Sequence, residues 1–215
     1  TLLLNRDVPV EDLGMLYAFA APEASVKNQA LSQILARHLR VRAFETLRTE
    51  EQLGYAAGGG ALDLYKHPMV ILYIQTPVKG PQEMLDRFTA YTEEYRDELA
   101  ALPEASFEKF KAGVLTALTE PPKNLSAEAG PFVSDWAIEH YDFDTRAKLI
   151  AAVNAATLQD VQRFYEETVF SDASSRIVIQ LRGKRYSERP FATVEGGVVI
   201  DDIDKFHNEM PVQER

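Results

Sequence analysis

The sequence predicts an α+β fold in which helices pack on a mainly antiparallel sheet. Three observations support this class: short apolar runs bounded by turn residues, long segments with apolar residues at helical spacing, and the order strand, helix, two strands, helices, strand. The 215 residues, 46% hydrophobic and 26% charged, are enough for one large domain with its own core. We expect a single domain over residues 1–184, followed by an irregular tail over residues 185–215 that packs on the domain or on a neighbour.

The first half of the chain predicts a strand, a long helix and a hairpin. The apolar run Leu13–Ala20 is closed by a proline, which is typical of a buried strand followed by a turn. Ser25 caps a helix whose apolar residues recur at helical spacing from Val26 through Leu47. Two strands, over residues 55–64 and 69–76, flank the turn-like residues 65–68 and predict an antiparallel hairpin.

The two hairpin strands differ in character. The second is apolar on both faces, so we expect it in the centre of the sheet, covered by helices on both sides or by helices and a partner. The first carries Gly58-Gly59-Gly60, weak strand formers that predict a bulge or the close approach of another backbone.

Prolines and capping residues mark the helix boundaries in the second half. Thr157 and Asp160 stand at the offset of a capping box. The elements predicted here are helices beginning at Pro81 and at Pro103, the latter ending at Pro121-Pro122, a helix beginning at Ser126 or Pro131 and running to His140, helices over 145–153 and 157–168, and a strand over 176–182.

Composition excludes several classes of partner. With 33 acidic against 23 basic residues and a net charge of −10, the chain lacks the basic face of a nucleic-acid or anionic-membrane binder. It has no cysteine, which excludes disulfides, Cys-ligated zinc and a thiol nucleophile. No apolar run approaches the ~18 residues of a membrane span. Because position 1 is threonine rather than an initiator methionine, we expect a piece of a longer protein.

The residues favour neither a metal site nor a nucleophile in this chain. None of the four histidines has a second histidine at ligand spacing, and neither His-x-x-Glu-His nor His-Glu-x-x-His occurs. The nearest approach ends at Glu139-His140, where Trp136 occupies the position of a ligand and indole offers no lone pair. A Gly-x-Ser-x-Gly elbow and a phosphate-binding glycine pattern are also missing.

The stretch from Phe44 to Tyr55 joins the long helix to the first hairpin strand. Such a corner brings Arg48, Gln52 and Tyr55 close together and lets them reach an adjoining cleft. Taken singly, Arg48 is a cation near a helix C-terminus and Tyr55 a strand aromatic, both common in these places. Spacing alone therefore indicates a binding corner without naming its ligand.

The same stretch carries a resemblance. Its core, Leu-Arg-Thr-x-Glu-Gln-Leu-Gly-Tyr over residues 47–55, closely resembles a signature of the last domain in the pitrilysin/insulin-degrading enzyme family of zinc metallopeptidases. Residues 121–125, 141–144 and 157–165 are similar to further landmarks of that domain, so the resemblance covers nearly the whole chain.

The resemblance implies a fold and a function. Members of the family have four homologous α+β domains that close like a clamshell around a chamber, with the zinc motif His-x-x-Glu-His in the first domain. This chain, without the motif, is expected to be the zinc-free C-terminal domain, with zinc in another domain of the parent enzyme. The implied partners are the N-terminal catalytic half of the same polypeptide and peptide substrates, and the isolated chain is expected to be inactive.

The resemblance also implies roles for four residues. Arg48 and Tyr55 bind substrate, with Arg48 as a clamp on backbone carbonyls and Tyr55 as a donor to the oxygen that becomes negative in the transition state. Glu51 and Gln52 support the corner. The alternatives are a non-enzymatic structural or interaction subunit of the same fold, like processing-peptidase or core-protein subunits, and a freestanding peptide-binding domain. Bacterial relatives favour the periplasm, with the cytoplasm as the alternative.

Overall fold

The computed structural model describes residues 1–64 and 66–209 of the chain. Within these ranges, the chain forms six strands and seven α-helices. The strands are β1 (Leu2–Asp7), β2 (Leu13–Ala20), β3 (Ala56–Leu64), β4 (His67–Thr76), β5 (Ser175–Arg182) and β6 (Val198–Ile200). The helices are α1 (Val26–Ala43), α2 (Pro81–Ala100), α3 (Glu104–Thr119), α4 (Leu125–Ala137), α5 (Thr145–Ala155), α6 (Leu158–Val169) and α7 (Ile203–Glu209).

All six strands belong to one sheet, in the order β3-β4-β2-β5-β1-β6. The pairs β3–β4, β4–β2 and β2–β5 are antiparallel, whereas β1 lies parallel to both β5 and β6. The expected α+β class with a mainly antiparallel sheet is confirmed. The parallel pairs at one end make the sheet mixed.

The two ends of the described chain meet in that parallel region. β1, which the sequence reasoning missed, places Leu3 opposite Val178 of β5, and Leu3 is 1% exposed. The tail that was expected to be irregular contributes β6, which pairs with β1, and α7. Residues 210–215 of that tail lie outside the described residues. Part of the tail, strand β6, therefore belongs to the sheet.

The two faces of the sheet are buried to different extents. On one face, Tyr17, Leu72 and Val178 are buried in a core shared with the helices. The alternate residues face the other way, and there Tyr73 and Leu181 are 40% and 38% exposed. β4 is thus apolar on both faces, as the sequence indicates, but only one of them is fully covered within the described residues.

The three glycines of β3 form regular strand and not a bulge. The pairing of β3 with β4 runs without interruption from Ala56 to Leu64. A Cβ on Gly59 would lie 2.7 Å from Cγ of Leu39 in α1, so the glycine lets this helix sit directly on the strand. The close approach expected at these glycines is therefore to a side chain of α1, not to another backbone. His67 and Pro68, which were expected in the turn, belong to β4, and Tyr65 lies outside the described residues.

Most predicted helices are present, and α4 differs most from expectation. It begins after Asn124, whose side chain accepts a hydrogen bond from the backbone N–H of Ala127, and it ends at Ala137 instead of at His140. Pro131 lies inside the helix and neither begins nor interrupts it. At α6 the predicted capping box is present, because the Thr157 hydroxyl and the Asp160 carboxylate each bond to the other's backbone N–H.

The described ranges contain no helix that combines the length and the apolar character needed to span a membrane.

Candidate functional site

The candidate site begins where α1 changes its winding. Ser25 caps the start of α1, since its hydroxyl accepts a hydrogen bond from the backbone N–H of Asn28, and after Ala43 the chain continues as a π-helix, Phe44–Glu50. The sequence predicted helix through this stretch but not its wider winding. Leu47, with no exposure, anchors the π-helix in the core. One side of the π-helix is therefore packed in the core, and Arg48 lies on the side that is accessible to solvent. π-Helical turns of this kind occur often at functional sites.

The chain then turns sharply toward β3. Gln52 has a positive φ of 53°, and the backbone N–H of Leu53 donates to the carbonyl of Leu47 at 3.0 Å. The hydroxyl of Thr76 donates to the Leu53 carbonyl, which ties the turn to the end of β4. A Cβ on Gly54 would lie 1.9 Å from the carbonyl oxygen of Gln75, so only glycine fits there. These contacts fix the backbone immediately before Tyr55.

Arg48 lies between two aromatic rings. Its guanidinium carbon is 4.6 Å from the ring centre of Phe44 and 4.5 Å from that of Tyr55. Tyr55 is 84% exposed, so its phenol projects into solvent from the corner. Stacking on ring faces leaves the N–H groups at the edge of the guanidinium available to a ligand. Arg48 and Tyr55 are thus brought together, as the sequence predicted.

Glu51 joins the corner to α2 through Arg87. Both Glu51 carboxylate oxygens accept from the Arg87 guanidinium, with Nε at 3.0 and 2.9 Å. Arg87 also donates to both oxygens of Glu94, and its pKa is raised, chiefly by the hydrogen bonds with Glu51. The Gln52 side chain is exposed, so this residue shapes the corner through its backbone.

A shallow cleft of about 470 Å³ adjoins the two stacked residues. Its walls include Gln75, which faces the less buried side of the sheet along with Tyr73, and Asp12, to which the Gln75 amide donates at 3.1 Å. The cleft therefore lies at the rim of that sheet face. Its lining is Asp12, Arg48, Gln52, Gly54, Tyr55, Gln75 and Pro77.

Such a lining suits a polar chain molecule better than a compact apolar one. Arg48, Tyr55 and the glutamine amides can donate hydrogen bonds to carbonyl oxygens, and the Tyr55 ring offers an aromatic face beside these donors. Sequence reasoning found Arg48, Gln52 and Tyr55 but not Asp12, Gln75 or the Arg87 brace. Those residues lie in the loop before β2, in β4 and in α2, so no spacing within one segment could have indicated them.

A second group of titratable side chains follows α4. His140 Nε2 lies 2.9 Å from an oxygen of Asp144, and the ligand atoms of His140, Asp142 and Asp144 lie within 4.8 Å of one another. The ammonium of Lys148 already lies 2.9 Å from Asp144 and 3.8 Å from Asp142. Hydrogen bonds from His140 and Lys148 lower the pKa of Asp144. A lysine in this position repels a divalent cation, so the group is an ion-pair network that does not fit a zinc ion.

His38 is a core residue and not a ligand. It is 8% exposed and its Nδ1 lies 3.0 Å from the Tyr95 hydroxyl. Burial lowers its pKa and so favours the neutral ring.

Known proteins resemble this chain in sequence and in fold. Residues 34–133 match the family described as PQQ synthase PqqF-like, C-terminal lobe domain 4. Protease 3 of Escherichia coli strain K12 is 24% identical over 185 residues, which is 86% of this chain and 19% of that protein. The A-factor-processing enzyme of Saccharomyces cerevisiae is 27% identical over 187 residues, or 84% of this chain and 18% of the enzyme. The chain thus spans about a fifth of the length of these relatives.

The fold has a counterpart of known structure. The crystal structure of pitrilysin superposes with a TM-score of 0.90 at 22% identity, covering 98% of this chain and 23% of the pitrilysin chain. The matched family segment includes the π-helix, the Tyr55 corner and the β3–β4 hairpin. This similarity of sequence and fold supports the expected relationship of the chain to C-terminal domains of the pitrilysin/insulin-degrading enzyme family.

Proposed function

We propose that this chain is the zinc-free C-terminal domain of a metalloendopeptidase, where it forms part of a closed chamber and helps to bind peptide substrates. The observation that carries the proposal is the pair formed by Arg48 and Tyr55, a stacked guanidinium beside a phenol that is 84% exposed. The Gly54 turn fixes the backbone before Tyr55, whose ring is exposed to solvent beside the half-buried Arg48, so a ligand can reach both side chains. The relatives named Protease 3 and A-factor-processing enzyme support a role in proteolysis.

The two side chains have different tasks in this proposal. Arg48 offers several N–H donors in a fixed plane and holds backbone carbonyls of an extended peptide. Hydrolysis of the peptide bond builds negative charge on the scissile carbonyl oxygen, and the Tyr55 hydroxyl donates a hydrogen bond to it. Glu51 keeps the corner attached to α2, so that both donors stay on one side of the cleft.

Zinc is assigned to another domain of the parent protein. The sequence lacks a His-x-x-Glu-His motif, and the His140 group is occupied by the Lys148 ammonium. The metal, when bound in that other domain, supplies Lewis-acid polarisation of the substrate. This chain supplies positioning and hydrogen-bond donors.

Replacement of Tyr55 by phenylalanine in the full-length protein tests the proposed role. The ring still stacks on Arg48, and only the hydroxyl is lost. We expect kcat to fall by about 10²-fold, the range seen when one oxyanion donor is removed, with a small change in KM. Steady-state kinetics on a quenched peptide measure both constants. A loss confined to KM would reduce Tyr55 to a binding residue.

The isolated chain provides the second test. We expect no chelator-sensitive hydrolysis of the same peptide by residues 1–215 alone, and hydrolysis by the full-length protein that a chelator abolishes. Activity of the isolated chain that disappears with chelator would place a metal centre in this domain and overturn the assignment.

A further inference from the structure

The candidate cleft contains two opposite charges that do not pair with each other. Arg48 and Asp12 both line it, but among the described residues neither side chain forms a salt bridge. The Arg48 guanidinium stacks instead between the rings of Phe44 and Tyr55, at 4.6 and 4.5 Å from their centres. A charge without an ionic partner in a cleft that a ligand can reach is available to an opposite charge on the ligand.

The backbone at Asp12 is held in place by the end of β5. The N–H of Lys184 donates to the carbonyl of Val10 at 2.8 Å, just before Asp12. A Cβ on Gly183 would overlap the Asp12 carbonyl oxygen, so glycine lets the two segments lie directly against each other. Asp12 therefore has a fixed position at the cleft, although it lies in a loop.

The Asp12 carboxylate is oriented but retains acceptor capacity. The Gln75 amide donates to Oδ2 at 3.1 Å, and this is the one hydrogen bond of the Asp12 side chain among the described residues. A carboxylate can accept about four hydrogen bonds. Because Asp12 is half-buried and its Oδ1 is not among the buried polar atoms, a donor that enters the cleft can reach this oxygen.

We propose that Asp12 makes the cleft select peptides with a lysine or arginine side chain next to the backbone carbonyls that Arg48 holds. The inference rests on the proposed function, which places an extended peptide in this cleft. In that complex the edge of the Arg48 guanidinium is occupied by carbonyl oxygens, so Asp12 is the charged group left for a substrate side chain. A cationic side chain gains a salt bridge at Oδ1, a neutral one gains none, and an acidic one is repelled.

Matched peptides measure this preference in the full-length protein. The quenched peptides are identical except for one residue, which is lysine, acetyl-lysine or glutamate and is moved through the positions on both sides of the scissile bond. Acetyl-lysine keeps the length of lysine without its charge. We expect kcat/KM for lysine to exceed that for acetyl-lysine by about threefold to fivefold at one position, the factor for a partly exposed salt bridge. The factor should shrink as salt is added.

Substitutions assign the preference to Asp12. Asp12→Asn removes the charge but keeps an oxygen that can accept from Gln75, so the ratio of kcat/KM for lysine over acetyl-lysine should fall to about 1. Asp12→Lys should reverse the preference in favour of glutamate. The control, Asp172→Asn, removes the same charge from the loop before β5. That loop lies about 25 Å away at the other end of β2, where Ser175 pairs with Ala20, and this variant should keep the ratio of the unmodified protein.

Three results would overturn the inference. A ratio in Asp12→Asn equal to that of the unmodified protein would mean that the Asp12 charge does not select. An equal loss on all peptides in Asp12→Asn would make Asp12 a structural support of Gln75. A preference for glutamate in the unmodified protein would mean that the Arg48 charge governs selection. Hydrolysis without a charge preference removes this inference alone, whereas no chelator-sensitive hydrolysis of any of these peptides would sink the proposed function as well.

Discussion

The contact with the Arg48 guanidinium constrains the orientation of the Tyr55 ring without fixing it. A cation–π contact at an exposed site is worth about 0.5 to 1 kcal/mol, which biases an orientation by a factor of about five at most. Tyr55 is 84% exposed and only its backbone is fixed, by the Gly54 turn. The phenol can therefore move toward a substrate at little cost. The turn contacts of Gly54 hold the backbone of the corner, and the ion pair of Glu51 with Arg87 adds a link from the corner to α2.

Substitution of Glu51 by glutamine should destabilise the domain. The Glu51 and Arg87 side chains are 28% and 15% exposed, so their hydrogen bonds are partly shielded from water. We expect the free energy of unfolding to fall by about 2 kcal/mol, the range for hydrogen bonds to charged groups. Urea denaturation of residues 1–215 measures it.

The control is Glu120→Gln, which breaks a pair with Lys123 whose side chains are 55% and 79% exposed. An exposed pair of this kind contributes about 0.5 kcal/mol or less. Equal losses in the two variants would mean that Glu51 is not a brace.

At the scale of elements, the α1–β3 contact positions the site. α1 sits on β3 because the strand has no side chain where Leu39 packs. Both elements lead into the corner, α1 from one side and β3 from the other. The sequence predicted this hairpin and helix well, since their periodicity is local. It could not predict which glycine faces the helix, because that depends on how the two elements are placed.

Gly59→Ala should therefore be harmful and Gly60→Ala tolerated. A Cβ on Gly59 meets Leu39 at 2.7 Å and Leu72 at 3.1 Å, whereas the nearest atom to a Cβ on Gly60 is an Arg40 nitrogen at 4.0 Å. Overpacking of a core typically costs about 1 to 3 kcal/mol. Urea midpoints of the two variants give the comparison, and a Gly60→Ala variant as unstable as Gly59→Ala would contradict the assigned contact.

The capping box of α6 predicts a dependence of stability on pH. The Thr157 hydroxyl donates to Asp160 at 2.6 Å, and this bond is the main reason that the carboxylate has a pKa lowered from 3.8 to about 2. Because the folded-state pKa is the lower one, the stabilisation is fully present above about pH 4 and is lost as the pH falls toward 2.

Asp160→Asn should accordingly cost about 2 kcal/mol at pH 7, and the difference from the unmodified chain should shrink between about pH 4 and pH 2. Thr157→Ser, which keeps the hydroxyl, serves as the control and should follow the unmodified chain. Urea unfolding at a series of pH values tests both. A constant difference down to pH 2 would show that the Asp160 charge is not the source of the stability.

At the scale of the whole molecule, the chain is closed by pairing between its two ends. β1 lies between β5 and β6, so residues near position 3 contact residues near positions 178 and 199. Sequence patterns did not reveal this, because three leucines in a row are too short a run to indicate a strand and parallel pairing joins distant segments. Strand β6 of the tail was not predicted for the same reason, because its three residues form a strand by pairing with the distant β1.

This closure predicts different effects for neighbouring leucines. Leu3 is 1% exposed and belongs to the core, whereas Leu2 lies on the opposite, half-buried face of β1. Leu3→Ala should lower the free energy of unfolding by about 2 to 5 kcal/mol, the range for a buried leucine, and Leu2→Ala by less than half as much. Urea denaturation of both variants in residues 1–215 measures the difference. If Leu3→Ala were as mild as Leu2→Ala, β1 would be a peripheral strand and the domain would be held together without its first seven residues.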